Sequence, residues 1–120
     1  MNLVETPLMH TLSRALDLTS ARQSLVSRNV ANIDTPGYKT QDLDFRQELR
    51  RALAEDPGPE AAPLVREVPG LIERPDGNNV SLDREGLLMA QNQLAFQVDV
   101  QLLRAEFNRL QLAINGGNGQ

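Results

Sequence analysis

Residues 82–114 have the sequence LDREGLLMAQNQLAFQVDVQLLRAEFNRLQLAI, and this stretch decides the fold. Apolar residues recur in it in alternating steps of four and three, from Leu82 through Met89 and Phe96 to Ile114. Eight of the ten positions in this series are apolar. A 3.5-residue repeat kept over more than four heptads is typical of a coiled-coil seam. The pattern therefore predicts a helix over residues 81–115, roughly 50 Å long at 1.5 Å per residue.

Both ends of this helix are marked in the sequence. Ser81 is a good N-cap residue, and Asp83 and Glu85 fall in the first turn, where the helix dipole favours acidic side chains. Residues 115–117, Asn-Gly-Gly, predict the C-terminal stop, with glycine in a left-handed cap.

The N-terminal part of the chain carries the same pattern over residues 7–33. Six of the eight seam positions are apolar, and Thr19 and Gln23 interrupt the middle of the seam. Polar seam residues weaken a coiled coil but can fix its register. Thr6 and Pro7 suit the N-cap and the first turn. The pattern predicts a second long helix.

The segment between the two helices is different. Residues 42–53 predict a short helix with Leu43 or Phe45, Leu49 and Leu53 on one side. Residues 55–80 hold five of the seven prolines, which favours a flexible linker. Within it, residues 64–65 and 71–72 could pair as short strands.

The sequence thus predicts an all-α fold in which two long terminal amphipathic helices form a coiled-coil-like pair. We divide the chain into an N-terminal helix and turn (1–38), a short helix and flexible loop (39–80), and a C-terminal helix and frayed tail (81–120). The stripes could form the core of one hairpin. They are long for the chain, however, and two helices alone make a thin core, which favours completion by other copies.

Composition narrows the function. With 12 basic and 16 acidic residues, the net charge of −4 argues against nucleic-acid binding and a polybasic membrane anchor. No apolar run is long enough to span a membrane, and we expect no cleaved secretory signal. The chain has no cysteine and one histidine, His10, and the acidic pairs Asp42/Asp44 and Asp83/Glu85 do not face each other on a helix. We therefore expect neither an enzyme nor a bound cofactor or metal.

The segment RNVANIDTPGYK, residues 28–39, predicts a defined exit from the first helix. Thr35 precedes a proline and is pushed to extended geometry. Pro36 and Gly37 suit the central positions of a type II turn, in which glycine takes a positive φ. Asn32 and Asp34 can bond backbone groups freed at the helix end, and Tyr38 follows as an anchor. We refer to Asn29, Asn32, Thr35, Pro36, Gly37 and Tyr38 as the signature-turn residues.

Residues 27–39 closely resemble the N-terminal signature of the bacterial flagellar axial proteins, which form the rod and hook. The stretches RPDGNNV (74–80) and MAQNQL (89–94) look most like those of the proximal rod members. The resemblance implies a subunit that polymerises helically through its terminal helices into a torque-transmitting rod across the periplasm. It also implies contacts with other rod proteins and adjacent ring or adaptor components. Only residues 39–80 separate the helices, too few for an outer domain, which favours a proximal position.

The resemblance further implies secretion by the flagellar type III export apparatus without a cleaved signal. That apparatus is expected to recognise a phenylalanine followed four residues later by an apolar residue, and Phe45 and Leu49 fit this spacing. The same spacing also suits a local helix contact. The alternative function is a self-contained hairpin or small coiled-coil oligomer acting as a soluble adaptor or chaperone. The predicted assembly interface comprises Met9, Leu12, Leu16, Val26, Val30 and Ile33 with Leu82, Met89, Phe96, Val100, Leu103, Phe107, Leu110 and Ile114.

Overall fold

The computed structural model describes residues 5–54 and 62–116. They form, in chain order, α1 (Pro7–Ala31), β1 (Gln41–Leu43), α2 (Phe45–Ala52), β2 (Val65–Glu67) and α3 (Leu82–Gly116). α1 lies at the centre, because it packs against α3 over its length and also contacts α2 and β1. The molecule is elongated, with extents of 71 × 29 × 19 Å.

The two long helices form an antiparallel pair, which confirms the predicted helices. Thr6 caps α1 by accepting a hydrogen bond from the amide of Met9 at 3.1 Å, and Pro7 occupies the first turn. Ser81 caps α3 through a bond from the amide of Arg84 at 3.3 Å. α1 ends at Ala31, two residues before the predicted end, and α3 runs to Gly116. The predicted tail lies outside the described residues.

The middle segment begins with a strand, so the predicted helical start at Asp42 is wrong. Residues 41–43 form β1, which pairs antiparallel with β2. α2 begins only at Phe45, after Asp44 accepts a bond from the amide of Gln47 at 3.1 Å. The physical reason is that Asp42 is held by two arginines and Leu43 is buried, and both contacts require an extended chain.

The predicted pairing of residues 64–65 with 71–72 is also wrong, because Val65 pairs with Leu43 and Ile72 is exposed. Pro69 has no amide hydrogen for a ladder, and Gly70 has φ +80°, which turns the chain away from β2. Residues 73–80 make specific contacts rather than a featureless linker. Residues 55–61, the other part of the predicted loop, lie outside the described residues.

α3 presents a different face to α1 from the one its apolar repeat predicts. The positions that face α1 are buried or half-buried, and we name them the α1-facing seam: Glu85, Leu88, Asn92, Ala95, Asp99, Leu103, Glu106 and Leu110. Most of them precede a position of the apolar repeat by one residue, which is about 100° around a helix. Glu85, Asn92, Asp99 and Glu106 recur every seven residues. The seam is therefore rich in polar side chains.

This rotation differs from the one that the hairpin alternative implied, in which the apolar repeat of α3 would face α1. Its physical reason lies in α1 and at the start of α3. The middle of α1 offers polar partners, and Gln23 accepts a hydrogen bond from Asn92 at 3.1 Å. At the first turn of α3, Arg84 binds Asp42 and thereby fixes the rotation of the helix.

Candidate assembly surface and signature turn

The turn after α1 has the predicted type II geometry. The carbonyl of Thr35 accepts a bond from the amide of Tyr38 at 3.2 Å, and Gly37 has φ +75°. Asn32 holds the helix end, because its amide group donates to the carbonyl of Arg28 at 2.8 Å. Asp34, predicted to act with Asn32, is exposed, and its side chain has no hydrogen bond to a described residue. The turn thus closes on Asn32 rather than on both side chains.

Asn29 joins this turn to β1. Its side chain is buried, donates to the carbonyl of Gln41 at 2.8 Å and accepts from the amide of the same residue at 3.1 Å. The hydroxyl of Tyr38 donates to the same Asn29 oxygen at 2.9 Å, which confirms Tyr38 as an anchor. Burial raises the pKa of Tyr38, opposed by nearby Arg28 and reinforced by the charge of Glu85. The phenol therefore stays protonated and keeps its role as a donor.

Residues 73–80, here called the second turn, pack directly on the signature turn. The Asn78 side chain donates to the carbonyls of Asn32 and Thr35, both at 2.9 Å, and accepts from the amide of Val80 at 2.9 Å. The Asn79 side chain accepts from the amide of Thr40 at 2.7 Å. These buried amides satisfy backbone groups that no helix or sheet could satisfy.

Sequence reasoning treated 76–79 only as turn formers and missed these contacts. The signal was present, because two adjacent asparagines after Asp-Gly provide donors and acceptors beside a tight turn. The two stretches that carry the family resemblance, 27–39 and 74–80, are brought together by these bonds.

A cluster of charged side chains joins α1, β1 and α3 beside the turns. Asp42 binds Arg22 through two bonds, at 3.0 and 2.9 Å, and Arg84 at 2.6 Å. Burial would raise the pKa of Asp42, but hydrogen bonds from Arg22, the Leu43 amide and Arg84 outweigh it and hold the pKa below its usual value. Arg84 also donates to the fully buried Glu85 at 2.9 Å. The cluster therefore holds α1, β1 and the first turn of α3 together.

The α1 half of the predicted interface mostly faces α3 or the turns. Leu12 and Val26 are buried, and Met9, Leu16, Val30 and Ile33 are half-buried. In the α3 half, Val100, Leu103 and Leu110 are half-buried. The exposed members form what we call the lateral stripe: Leu82, Met89, Phe96, Phe107 and Ile114.

Sequence reasoning missed a second apolar surface on α3. Five further large side chains of α3 are exposed outside the lateral stripe, and we call them the rear stripe: Leu87, Leu94, Val98, Leu102 and Leu112. The seven-residue repeat of the lateral stripe does not include these positions, so the sequence pattern did not indicate them. α3 therefore exposes apolar side chains on two sides.

Phe45 and Leu49, the predicted export residues, are half-buried on α2. Their role in export stays a prediction. Among the described residues, no helix is long and apolar enough to cross a membrane, and no cluster of three or more His, Cys, Asp or Glu side chains could hold a metal ion.

A family model described as flagella basal body rod protein matches residues 9–39, the stretch that contains most of α1 and the signature turn. The flagellar basal body rod protein FlgB of Salmonella typhimurium is 32% identical over 124 residues, which covers 87% of this chain and 90% of that relative. The chain belongs to the FlgB family of flagellar basal body rod proteins. FlgB of Escherichia coli is 30% identical and covers 87% of this chain and 90% of the relative. FlgB of Bacillus subtilis, also 30% identical, covers 91% and 94%. FlgB proteins thus align with most of the chain.

Proposed function

We propose that this chain is a structural subunit of the flagellar basal-body rod that polymerises helically through its terminal helices and transmits torque. The observation that carries the proposal is the uncovered apolar surface of α3. Phe96 is 51% exposed and Leu94 is 62% exposed, and both belong to stripes that run along the helix. Many large apolar side chains exposed along one helix are typical of a protein–protein interface.

The intramolecular contacts support the same proposal. The α1-facing seam uses polar side chains, and one of them, Asn92, bonds Gln23. Another is Glu106, whose pKa is lowered by a hydrogen bond from Arg109. Partial burial opposes this shift, and a hydrogen bond from Thr6 adds to it. The largest apolar side chains of α3 are left for other contacts. A subunit that must join several neighbours gains most from this arrangement, because burial of apolar area drives association.

We place the chain in the proximal rod. The short segment between α1 and α3 supports this position, since it offers no outer domain to thicken the wall of the tube. Other rod proteins and adjacent ring or adaptor components would be its neighbours. Export through the flagellar type III apparatus without a cleaved signal, with Phe45 and Leu49 as recognition residues, belongs to the same proposal.

The alternative is a self-contained hairpin or small oligomer that acts as an adaptor or chaperone. The antiparallel α1–α3 pair agrees with a hairpin, but the two exposed stripes of α3 do not suit a molecule that functions alone. An adaptor would keep one fixed stoichiometry in light scattering at all concentrations. A rod subunit would add further copies as its concentration rises.

The test replaces Phe107 in cells that lack their own copy of the gene. Phe107→Asp should abolish motility and remove the chain from purified basal bodies, because a buried, unpaired carboxylate opposes assembly. Phe107→Leu is the matched control and should retain both. Phe107 is suited to this test because it is 48% exposed, whereas Leu103, in the seam, also contributes to the hairpin. Normal motility with Phe107→Asp would contradict the proposal.

A further inference from the structure

We infer that the lateral stripe of one copy packs against the rear stripe of a second copy, so that two different faces of α3 meet at each contact. This inference rests on the proposed function and names the surfaces by which one copy contacts the next. Its basis is the placement of the two stripes, the distribution of charge along α3 and the groove beside the lateral stripe.

The two stripes lie on nearly opposite sides of the helix. Three pairs of residues, each with one member from each stripe, lie two positions apart in the sequence: Leu87 and Met89, Leu94 and Phe96, and Leu112 and Ile114. At 3.6 residues per turn, side chains two positions apart diverge by about 160°. One neighbouring helix cannot cover both sides. α3 therefore requires a partner on each stripe in addition to α1.

The distribution of charge along α3 favours a partner surface that carries no charge. Residues 86–98 contain no charged side chain, and from 99 to 103 the only charged residue is Asp99, which lies in the α1-facing seam. A helix without charge on any side is typical of a buried helix. A charged partner surface would lose its hydration against these stripes without gaining an ion pair. The rear stripe of another copy meets this requirement.

The groove beside the lateral stripe fits a helix with such a surface. It has a volume of about 670 Å³ and lies between α1 and α3. Ser20, Ser24 and Ser27 line its α1 side, and Met89, Gln93 and Phe96 line its α3 side. No charged residue lines it. Small serine side chains let a neighbouring helix approach α1 closely, while Met89 and Phe96 offer apolar contact to leucines of the rear stripe.

Pairing of unlike faces determines the type of assembly. If lateral stripes paired with each other, two copies would form a closed dimer and leave both rear stripes uncovered. If lateral and rear stripes pair, both stripes of every inner copy are covered, and the array keeps one free lateral stripe at one end and one free rear stripe at the other. Such heterologous contacts extend into rings or open helical assemblies.

The absence of cysteine from the sequence permits a direct test by disulfide cross-linking. Cells without their own copy of the gene would express two tagged forms of the chain together. One form carries Met89→Cys, and the other carries cysteine in place of Leu87, Leu94, Val98 or Leu102 in turn, so that the register between copies is also found. Purified basal bodies are oxidised, and the cross-linked products are identified by their tags. Each form expressed alone is the matched control.

We expect a mixed dimer for at least one pair and little dimer from either form alone. Strong dimers from Met89→Cys alone would show that lateral stripes pair with each other and would overturn the inference. Lack of any mixed dimer, with the chain present in the basal bodies, would overturn it equally. If wild-type chain were absent from basal bodies, the proposed function itself would fail, which distinguishes the two results.

Discussion

Three asparagines determine how the chain leaves α1 and enters α3. Asn29, Asn78 and Asn79 are buried, and each bonds backbone groups of the signature turn or of residues 40–41 that follow it. At Asn29 and Asn78, replacement by aspartate would remove the donor, and replacement by leucine would remove donor and acceptor alike. The amide is therefore required by geometry rather than by charge.

Asn29→Ala should lower the free energy of unfolding by about 2–3 kcal/mol. The reason is that the Gln41 amide and carbonyl and the Tyr38 hydroxyl would each lose a partner while remaining partly buried. Urea titration followed by circular dichroism measures the change. Asn108→Ala, at an exposed position of α3, is the control and should change little. Equal effects of the two substitutions would contradict the role given to Asn29.

Two glycines should respond to alanine in opposite directions. Gly77 has φ +85°, and a Cβ there would lie 3.4 Å from the Cα of Gly37, so Gly77→Ala should cost about 1–2 kcal/mol. Gly86 lies in α3 with nothing near its added Cβ, so Gly86→Ala should stabilise the helix by about 0.5–1 kcal/mol. Melting temperatures of the two variants test whether Gly77→Ala lowers the stability and Gly86→Ala raises it. A stabilised Gly77→Ala variant would refute the tight contact of the two turns.

The sequence predicted part of the contact between the signature turn and the second turn. The type II turn followed from Pro36 and Gly37, whose backbone preferences are local. The docking of the second turn could not be predicted, since Asn78 and Asn32 are 46 residues apart and no local preference joins them. Asp42 failed as a helix start for the same reason, because Arg22 and Arg84 approach it only in the folded chain.

At the scale of elements, α3 has three faces with different chemistry. The α1-facing seam alternates apolar side chains with polar ones at intervals of seven, Glu85, Asn92, Asp99 and Glu106, whereas the lateral and rear stripes are apolar. The sequence predicted the length of α3 and its N-cap, Ser81, which depend on local pattern. It did not predict which face meets α1, because a strong apolar repeat indicates burial without indicating the partner.

Asp99 provides a pH test of the seam. Burial raises the pKa of Asp99, so the folded chain binds the proton more tightly than the unfolded chain does. This group therefore favours folding below its unfolded pKa, and that advantage is lost as the pH rises through the raised, folded pKa. Asp99→Asn removes the charge and should raise the melting temperature at neutral pH.

The advantage of Asp99→Asn over the wild type should shrink as the pH falls towards about 4, where the wild-type carboxyl is increasingly protonated. Melting curves at several pH values measure it. Asp83→Asn, at an exposed position in the first turn of α3, is the matched control and should give slightly lower stability at neutral pH. An advantage of Asp99→Asn that grew on acidification would contradict the burial of Asp99 against α1.

At the scale of the whole molecule, the chain is 71 Å long, and polar bonds accompany a small buried apolar core between its elements, while Phe96 and Phe107 lie outside. The internal contacts set the shape of the subunit, through the charge cluster at one end and the Gln23–Asn92 bond in the middle. The external apolar stripes are then available to other copies. Family membership and surface chemistry lead to the same function.

Chemical labelling of a cysteine on α3 tests this account most directly. Phe96→Cys would be treated with a maleimide in the dilute monomer and in purified basal bodies that contain the variant. The account predicts rapid labelling of the monomer, where position 96 is exposed, and strong protection in the assembled rod. Equal labelling rates in monomer and rod would contradict the claim that the apolar surface of α3 is covered by other subunits.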